Sequence, residues 1–234
     1  VVVSQVRLWR VDLDVGADAE ARFRRELSPG EIARAEGFAS APARRRFVVA
    51  RGTLRVLLGE QLGESPGSIV IETGPSGKPR LAGAAPRLGF SVSHSGDLAL
   101  ICIAECEVGV DLEGLRPVPD AVEIARRRFA PAEARFVGEG GPGDVDRRFL
   151  TCWTRKEALV KAVGAGLSFD LGSFTVPLDE RDGVVSLDGP GKTRAQRWLI
   201  SDIPLGDAHV AALARPATAE GAERTLPTVR TRLF

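Results

Sequence analysis

The sequence is poor in the residues that define several large classes of protein. It has three cysteines, Cys102, Cys106 and Cys152, in 234 residues. So odd and sparse a set excludes a disulfide-stapled miniprotein and points to free thiols in a reducing compartment. Cys102 and Cys106 have the spacing of half a metal site, but no second Cys pair or His pair completes a zinc centre. No stretch approaches the roughly 20 uncharged apolar residues of a membrane-spanning helix. Excess charge is missing too. Thirty-two basic residues against 31 acidic leave +1, so nothing draws the chain to nucleic acid or an anionic membrane. Methionine is absent, which predicts a numbering that starts after a removed or replaced initiator. Val1–Trp9 lacks the basic and long apolar regions of a signal peptide and reads as a strand. The expected address is the cytoplasm.

Lysine is scarce as well. Lys78, Lys156, Lys161 and Lys192 are the only four, so 28 of the 32 basic residues are arginine. A chain that uses arginine for its generic surface cations keeps its few lysines for other tasks. A compact ammonium suits a phosphate in transfer better than a guanidinium does.

What is present alternates between strand and helix patterns. Strands are predicted at Val1–Val11, Ser68–Glu72, Leu88–Val92, Leu98–Ile103, Gly109–Leu112, Phe174–Pro177, Val184–Leu187, Arg197–Ile203 and His209–Ala214. Helices are predicted at Ala17–Leu27, Pro29–Gly37, Ala41–Leu62, Val118–Phe129, Pro131–Phe136 and Asp146–Val163. Ser28-Pro29-Gly30-Glu31 has the form of a capping box with proline at the first helical position. The segment from Phe38 to Ile71 resembles that from Phe129 to Val176, each running through a long helix and glycines to a strand. The expected fold is therefore α/β (α+β), with two similar halves at residues 1–108 and 109–215. A tail at 216–234 is poor in apolar residues and is expected to be partly disordered. A duplicated chain of this kind places its ligand cleft between the halves.

Four constellations carry candidate chemistry. In Gly109-Val110-Asp111-Leu112-Glu113, a period of two puts both carboxylates on one strand face. Paired oxygen donors suit a hard divalent ion such as Mg²⁺, and an exposed polar strand face is the plainer alternative. Trp153, Glu157 and Lys161 are spaced i, i+4, i+8 and form one helical stripe. Glu157 offers a third carboxylate and Lys161 a phosphate contact; Lys156 points about 100° away from them. An ordinary surface ion pair is the alternative there. Ser93 and His94 follow a short strand in a polar turn suited to phosphate recognition. Adjacent in sequence, they do not pair as nucleophile and base. Lys78 crowns the loop Gly74-Pro75-Ser76-Gly77-Lys78-Pro79, which lacks the spacing of a P-loop. Arg44, Arg45 and Arg46 extend a basic surface or simply face solvent.

Together and in this order, these segments resemble the larger single-chain 4′-phosphopantetheinyl transferases of the surfactin-synthetase-activator type. The matching pieces are Gly77-Lys78-Pro79, Ser91-Val92-Ser93-His94-Ser95-Gly96, Gly109–Glu113, Phe129–Glu133 and Trp153–Lys161. The resemblance runs from about Ser28 to Val176.

It implies two pseudo-symmetric halves, each a small, mostly antiparallel sheet packed with a long helix, with coenzyme A in the cleft. The implied reaction moves the 4′-phosphopantetheine arm of coenzyme A to a serine of an apo acyl or peptidyl carrier protein. Adenosine 3′,5′-bisphosphate leaves. The carrier would serve polyketide, nonribosomal peptide, siderophore or fatty-acid synthesis. By position, Asp111, Glu113 and Glu157 would hold Mg²⁺ (or Mn²⁺), and Lys161 would meet the transferred phosphate. Ser93, His94, Lys78, Arg46 and Lys156 would contact coenzyme A. Glu157 is either the general base or purely a metal ligand. The segment Pro131–Gly143, with Arg135, is the expected carrier contact, and a monomer is expected. Glu31 and Arg34 stand where some relatives carry phosphate-binding lysines, and only Arg34 can stand in. Another Mg²⁺-dependent pyrophosphate-cleaving or phosphotransfer enzyme, or a non-catalytic coenzyme A or carrier-binding module, are the alternatives.

Overall fold

The computed structural model describes residues 5–74, 76–83, 88–141, 143–166, 169–187, 196–217 and 227–232. The first four residues, Lys192 and most of the expected tail, at 218–226 and 233–234, lie outside the described residues.

The most apolar segment organises the rest. Every residue of β5 (Leu98–Ala104) is buried. Ala99, Ile101 and Ile103 face one core, while Leu98, Leu100, Cys102 and Ala104 face another. A strand covered on both faces has no solvent side, which is why its sequence runs apolar without alternation. Each fully buried Leu or Ile in it contributes about 1.5–3 kcal/mol.

Around β5 the first sheet is completed by β1 (Arg7–Asp12) and β4 (Gly89–Ser95), both antiparallel to it. The long helix α3 (Ala41–Leu62) covers its outer face, joined by α1 (Ala17–Arg25) and α2 (Pro29–Glu36). The second sheet takes β6 (Gly109–Gly114), β7 (Asp182–Leu187), β8 (Gln196–Asp202) and β9 (His209–Pro216) in the order β6-β9-β8-β7, all antiparallel. Helix α6 (Val145–Val163) packs on it, with α4 (Ala121–Arg128) and α5 (Pro131–Gly138) alongside. The inner faces of the two sheets meet through Leu8, Leu100, Val110, Leu112 and Leu213. The layers thus run α3, first sheet, second sheet, α6. In this terminology β2 (Ile71–Thr73) and β3 (Pro79–Leu81) form a separate hairpin. Finally β10 (Val229–Arg232) returns to the first sheet, parallel to β1.

This is the expected mixed fold of two similar halves, and the second half resembles the first in detail. Both long helices end on a left-handed glycine, Gly63 (φ 69°) and Gly164 (φ 72°). In α2, Glu31 completes the capping box with Ser28 and pairs with Arg55 of α3. Arg55 donates to the carbonyls of Pro66 and Ile69. In α5, Glu133 accepts the Ala130 N–H and pairs with Lys156 of α6 at 2.7 Å. Lys156 donates to the carbonyls of Leu171 and Phe174. The structural repeat therefore matches Ser28–Glu31 with Ala130–Glu133. The resemblance read from the sequence, which starts the two repeats at Phe38 and Phe129, begins the first repeat one helix too late.

One predicted strand is corrected. Phe174–Pro177 pairs with no strand among the described residues. Its backbone is occupied by side chains: Phe174 O accepts from Lys156, the Val176 N–H donates to Glu133, and Pro177 O accepts from Arg155.

Candidate active site

Strand β6 lies at the edge of the second sheet, against α6 and beside β4. Val110 and Leu112 point into the core between the sheets, so Asp111 and Glu113 share the opposite face, as period two requires. Gly109 sets the depth of this strand. A Cβ there would collide with the Ala158 carbonyl of α6, so only glycine lets the strand lie this close to the helix.

Asp111 is buried. Its Oδ1 accepts from Lys161 Nζ at 2.6 Å and from Ser93 Oγ at 2.8 Å. Its Oδ2 is buried with no hydrogen-bond partner. Burial pushes the Asp111 pKa up, Lys161 and Ser93 pull against that, and nearby Glu113 adds to the rise. Glu157 projects from α6 toward the same place. Its pKa is also raised, first by burial and then by the charge of Asp111, with Glu113 adding a little and Lys161 opposing. Glu113 turns to Arg116 at 2.7 Å and to Ser95 at 3.4 Å. The three acids are therefore electrostatically coupled. Yet among the described residues no three His, Cys, Asp or Glu side chains form a ready-made metal group. Lys161 and Arg116 each draw one acid to themselves.

The cleft beside these groups encloses 360 Å³ between the halves. Arg51, Lys78, Phe90 and Ser91 line it from the first half, and Glu157, Lys161 and Gly164 from the second. Arg46 and His94 stand nearby. Arg46 pairs with Asp97 at 2.8 Å, which raises its already high pKa. The His94 pKa is lowered, chiefly by loss of surrounding water and then by the positive charges of Lys161 and Arg46.

Three expected ligand contacts are revised. Lys156 is wholly buried and its ammonium is spent on Glu133 and two backbone carbonyls. It cannot touch coenzyme A. The roughly 100° offset from the Glu157 stripe turns it into the core. Ser93 is also buried, and its hydroxyl is committed to Asp111, Lys161 and the Leu112 N–H. Lys78 does line the cleft, but its ammonium binds Glu107 at 2.6 Å and Ala162 O at 2.9 Å.

The sequence reading missed Arg51. Its Nε binds Glu31, whose other oxygen binds Arg55, so two cations share one carboxylate at the cleft wall. Burial alone would raise the Glu31 pKa; Arg55, the Ser28 N–H and Arg51 outweigh it and hold it down. Glu31, set aside as unable to bind phosphate, thus holds an arginine in the cleft.

Residues 107–214 match the family model described as the 4′-phosphopantetheinyl transferase superfamily. The chain is 34% identical over 215 residues to the 4′-phosphopantetheinyl transferase HetI of Nostoc sp. (strain PCC 7120), an alignment covering 90% of this chain and 87% of HetI. The chain belongs to the 4′-phosphopantetheinyl transferase superfamily. It is 31% identical to the transferase psf-1 of Bacillus pumilus, over 93% of this chain and 94% of psf-1. It is 27% identical to the transferase Sfp of Bacillus subtilis (strain 168), over 77% and 79% of the two chains. The transferase is accordingly an enzyme that moves phosphopantetheine from coenzyme A to carrier proteins. Among its described residues no helix is long and apolar enough to cross a membrane.

Proposed function

We propose that Asp111, Glu113, Glu157 and Lys161 form the phosphate-transfer centre of this transferase and that Arg51, Arg46 and His94 bind coenzyme A beside it. The observation that carries this is the orphaned Oδ2 of Asp111, a buried carboxylate oxygen in a group of mutually repelling acids. Such a set fits a hard divalent cation. Asp111, Glu113 and Glu157 would hold Mg²⁺, which when bound neutralises the pyrophosphate charge.

The remaining chemistry belongs to the chain. Attack of a carrier serine on a phosphoanhydride needs positioning and charge neutralisation. Lys161, already held at the centre by Asp111 and Ser93, stabilises the charge that grows on the transferred phosphate. Glu157, partly desolvated and raised in pKa, takes the serine proton. Arg51 and Arg46 supply fixed positive charge for the remaining phosphates of coenzyme A.

Glu157 also borders a second, larger groove of 1070 Å³. Ile124, Trp153, Phe169 and Leu171 give it an apolar wall, and Arg127 and Arg128 a basic one. That combination suits an acidic helical carrier domain presenting its serine to Glu157. We place the carrier here rather than on α5. Arg135 lines a different groove, formed by α4 and α5 residues without any from the centre. Because one chain supplies both walls of the cleft, the enzyme acts as a monomer, and in the cytoplasm, where cysteine thiols stay reduced.

Incubation of an apo carrier with coenzyme A, Mg²⁺ and the enzyme adds one arm of about 340 Da. Release of nucleotide without that mass gain defeats the proposal. Glu157→Gln separates base from pure ligand: rescue at high Mg²⁺ with an unchanged pH profile excludes the base role.

A further inference from the structure

Two edge strands meet where the halves join. On β6, alternate N–H groups point away from β9, and each finds a serine hydroxyl of β4. The N–H groups of Val110, Leu112 and Gly114 donate to the Oγ atoms of Ser91, Ser93 and Ser95 at 3.1, 3.3 and 2.9 Å. Three side-chain hydroxyls thus stand where a neighbouring strand would offer carbonyls.

A hydroxyl differs from a carbonyl in having a proton to give. Ser93 gives its proton to Asp111 Oδ1 at 2.8 Å and also receives Lys161 Nζ at 3.1 Å. Ser95 reaches Glu113 only at 3.4 Å. Ser91 makes the same kind of bridge to β6 with no carboxylate contact among its hydrogen bonds. Two rungs of the ladder therefore touch acids of the transfer centre, Ser93 closely and Ser95 at 3.4 Å, and one, Ser91, touches none.

We infer that Ser93 is a positioning residue of the transfer reaction. It acts through Asp111 and Lys161 rather than on coenzyme A. By holding Oδ1 and the ammonium in one orientation, it leaves Oδ2 as the oxygen for a cation. It also makes the geometry of the centre depend on the junction of the two halves. The inference rests on the reading of Asp111 as a cation ligand given above.

The neighbouring rungs supply the control. Ser91→Ala and Ser93→Ala each delete a bridge between the halves, so both lower Tm, Ser93→Ala by more because its hydroxyl also holds Asp111 and Lys161. At saturating coenzyme A, which offsets any change that Ser91→Ala makes in the cleft wall, and with carrier absent, only Ser93→Ala of the two should weaken Mn²⁺ binding, read by electron paramagnetic resonance, by about tenfold. The Mg²⁺ concentration for half-maximal transfer should rise with it. Ser93→Thr, which keeps the hydroxyl, should return Mn²⁺ affinity close to the wild-type value. If Ser93→Ala matches Ser91→Ala in Mn²⁺ binding and Mg²⁺ requirement, Ser93 is only a joint and the inference fails. If the wild-type enzyme binds no Mn²⁺ and transfers the arm without divalent cation, the reading of Asp111 fails first and takes the inference with it.

Discussion

Replacing Lys156 by methionine tests whether this residue of the Trp153–Lys161 motif serves the ligand or the core. Both Lys156 and Glu133 are fully buried and sit 2.7 Å apart. Burial lowers the Lys156 pKa and Glu133 works against that shift, so the ammonium persists because of its partner. Methionine fills a similar volume but strands the carboxylate and two carbonyls. Removing one partner of a buried pair costs about 3–5 kcal/mol. For a chain of this length that corresponds to a fall in Tm of about 6–20 °C. Thermal unfolding followed by circular dichroism measures it, and KM for coenzyme A is determined on the protein that remains folded. The fall in Tm should be large and KM should stay near the wild-type value. Lys156→Met/Glu133→Gln, which removes the stranded charge, should recover part of the loss, since the two sites are in contact and non-additive. A Tm within about 2 °C of wild type together with a raised KM would refute the reasoning and return Lys156 to the ligand.

Three further outcomes are expected. At pH 7 and in excess chelator, Glu157→Gln should raise Tm, by about 2–4 °C for each kcal/mol of relieved charge burial and repulsion. The folded-state pKa of Glu157 is raised, so its charge costs stability above that value and the cost fades as pH falls through it toward 4.5. Mg²⁺ should then stabilise the wild type more than the variant, and equal Mg²⁺ shifts would count against Glu157 as a ligand. Arg51→Ala should raise KM for coenzyme A about tenfold, the cost of one charge-assisted phosphate contact, with a smaller change in kcat; an unchanged KM removes Arg51 from the phosphate site. Cys102 and Cys152 are buried, with thiol pKa values pushed up to about 12, mainly by burial, whereas Cys106 is partly exposed. Maleimide at pH 7.5 should label one thiol quickly in the native enzyme and three in urea, and fast triple labelling of native enzyme would contradict the packing.

Elements with strong local signals were legible from the chain. The Ser40 cap and Gly63 bound α3 at the predicted residues, and the apolar run of β5 and the alternation of β6 emerged as read. The association of Asp111 with Lys161 came from motif order rather than from any local rule, because 50 residues separate them. Phe174–Pro177 was misread because its β-branched and aromatic residues pack against side chains that occupy its backbone. Arg51 was invisible, because one arginine among 28 carries no sign of the carboxylate that will hold it.

Periodicity, caps and turn residues act over a few positions, and so the sequence alone determined the helices, the central strands and the shared face of Asp111 and Glu113. Which cations become ligand contacts and which become core was decided only when the layers packed. Burial makes an unpaired charge costly, and the partner that removes that cost lies far away in the chain. Glu133 thus claimed Lys156, Asp111 claimed Lys161, and Glu31 placed Arg51 at the mouth of the cleft.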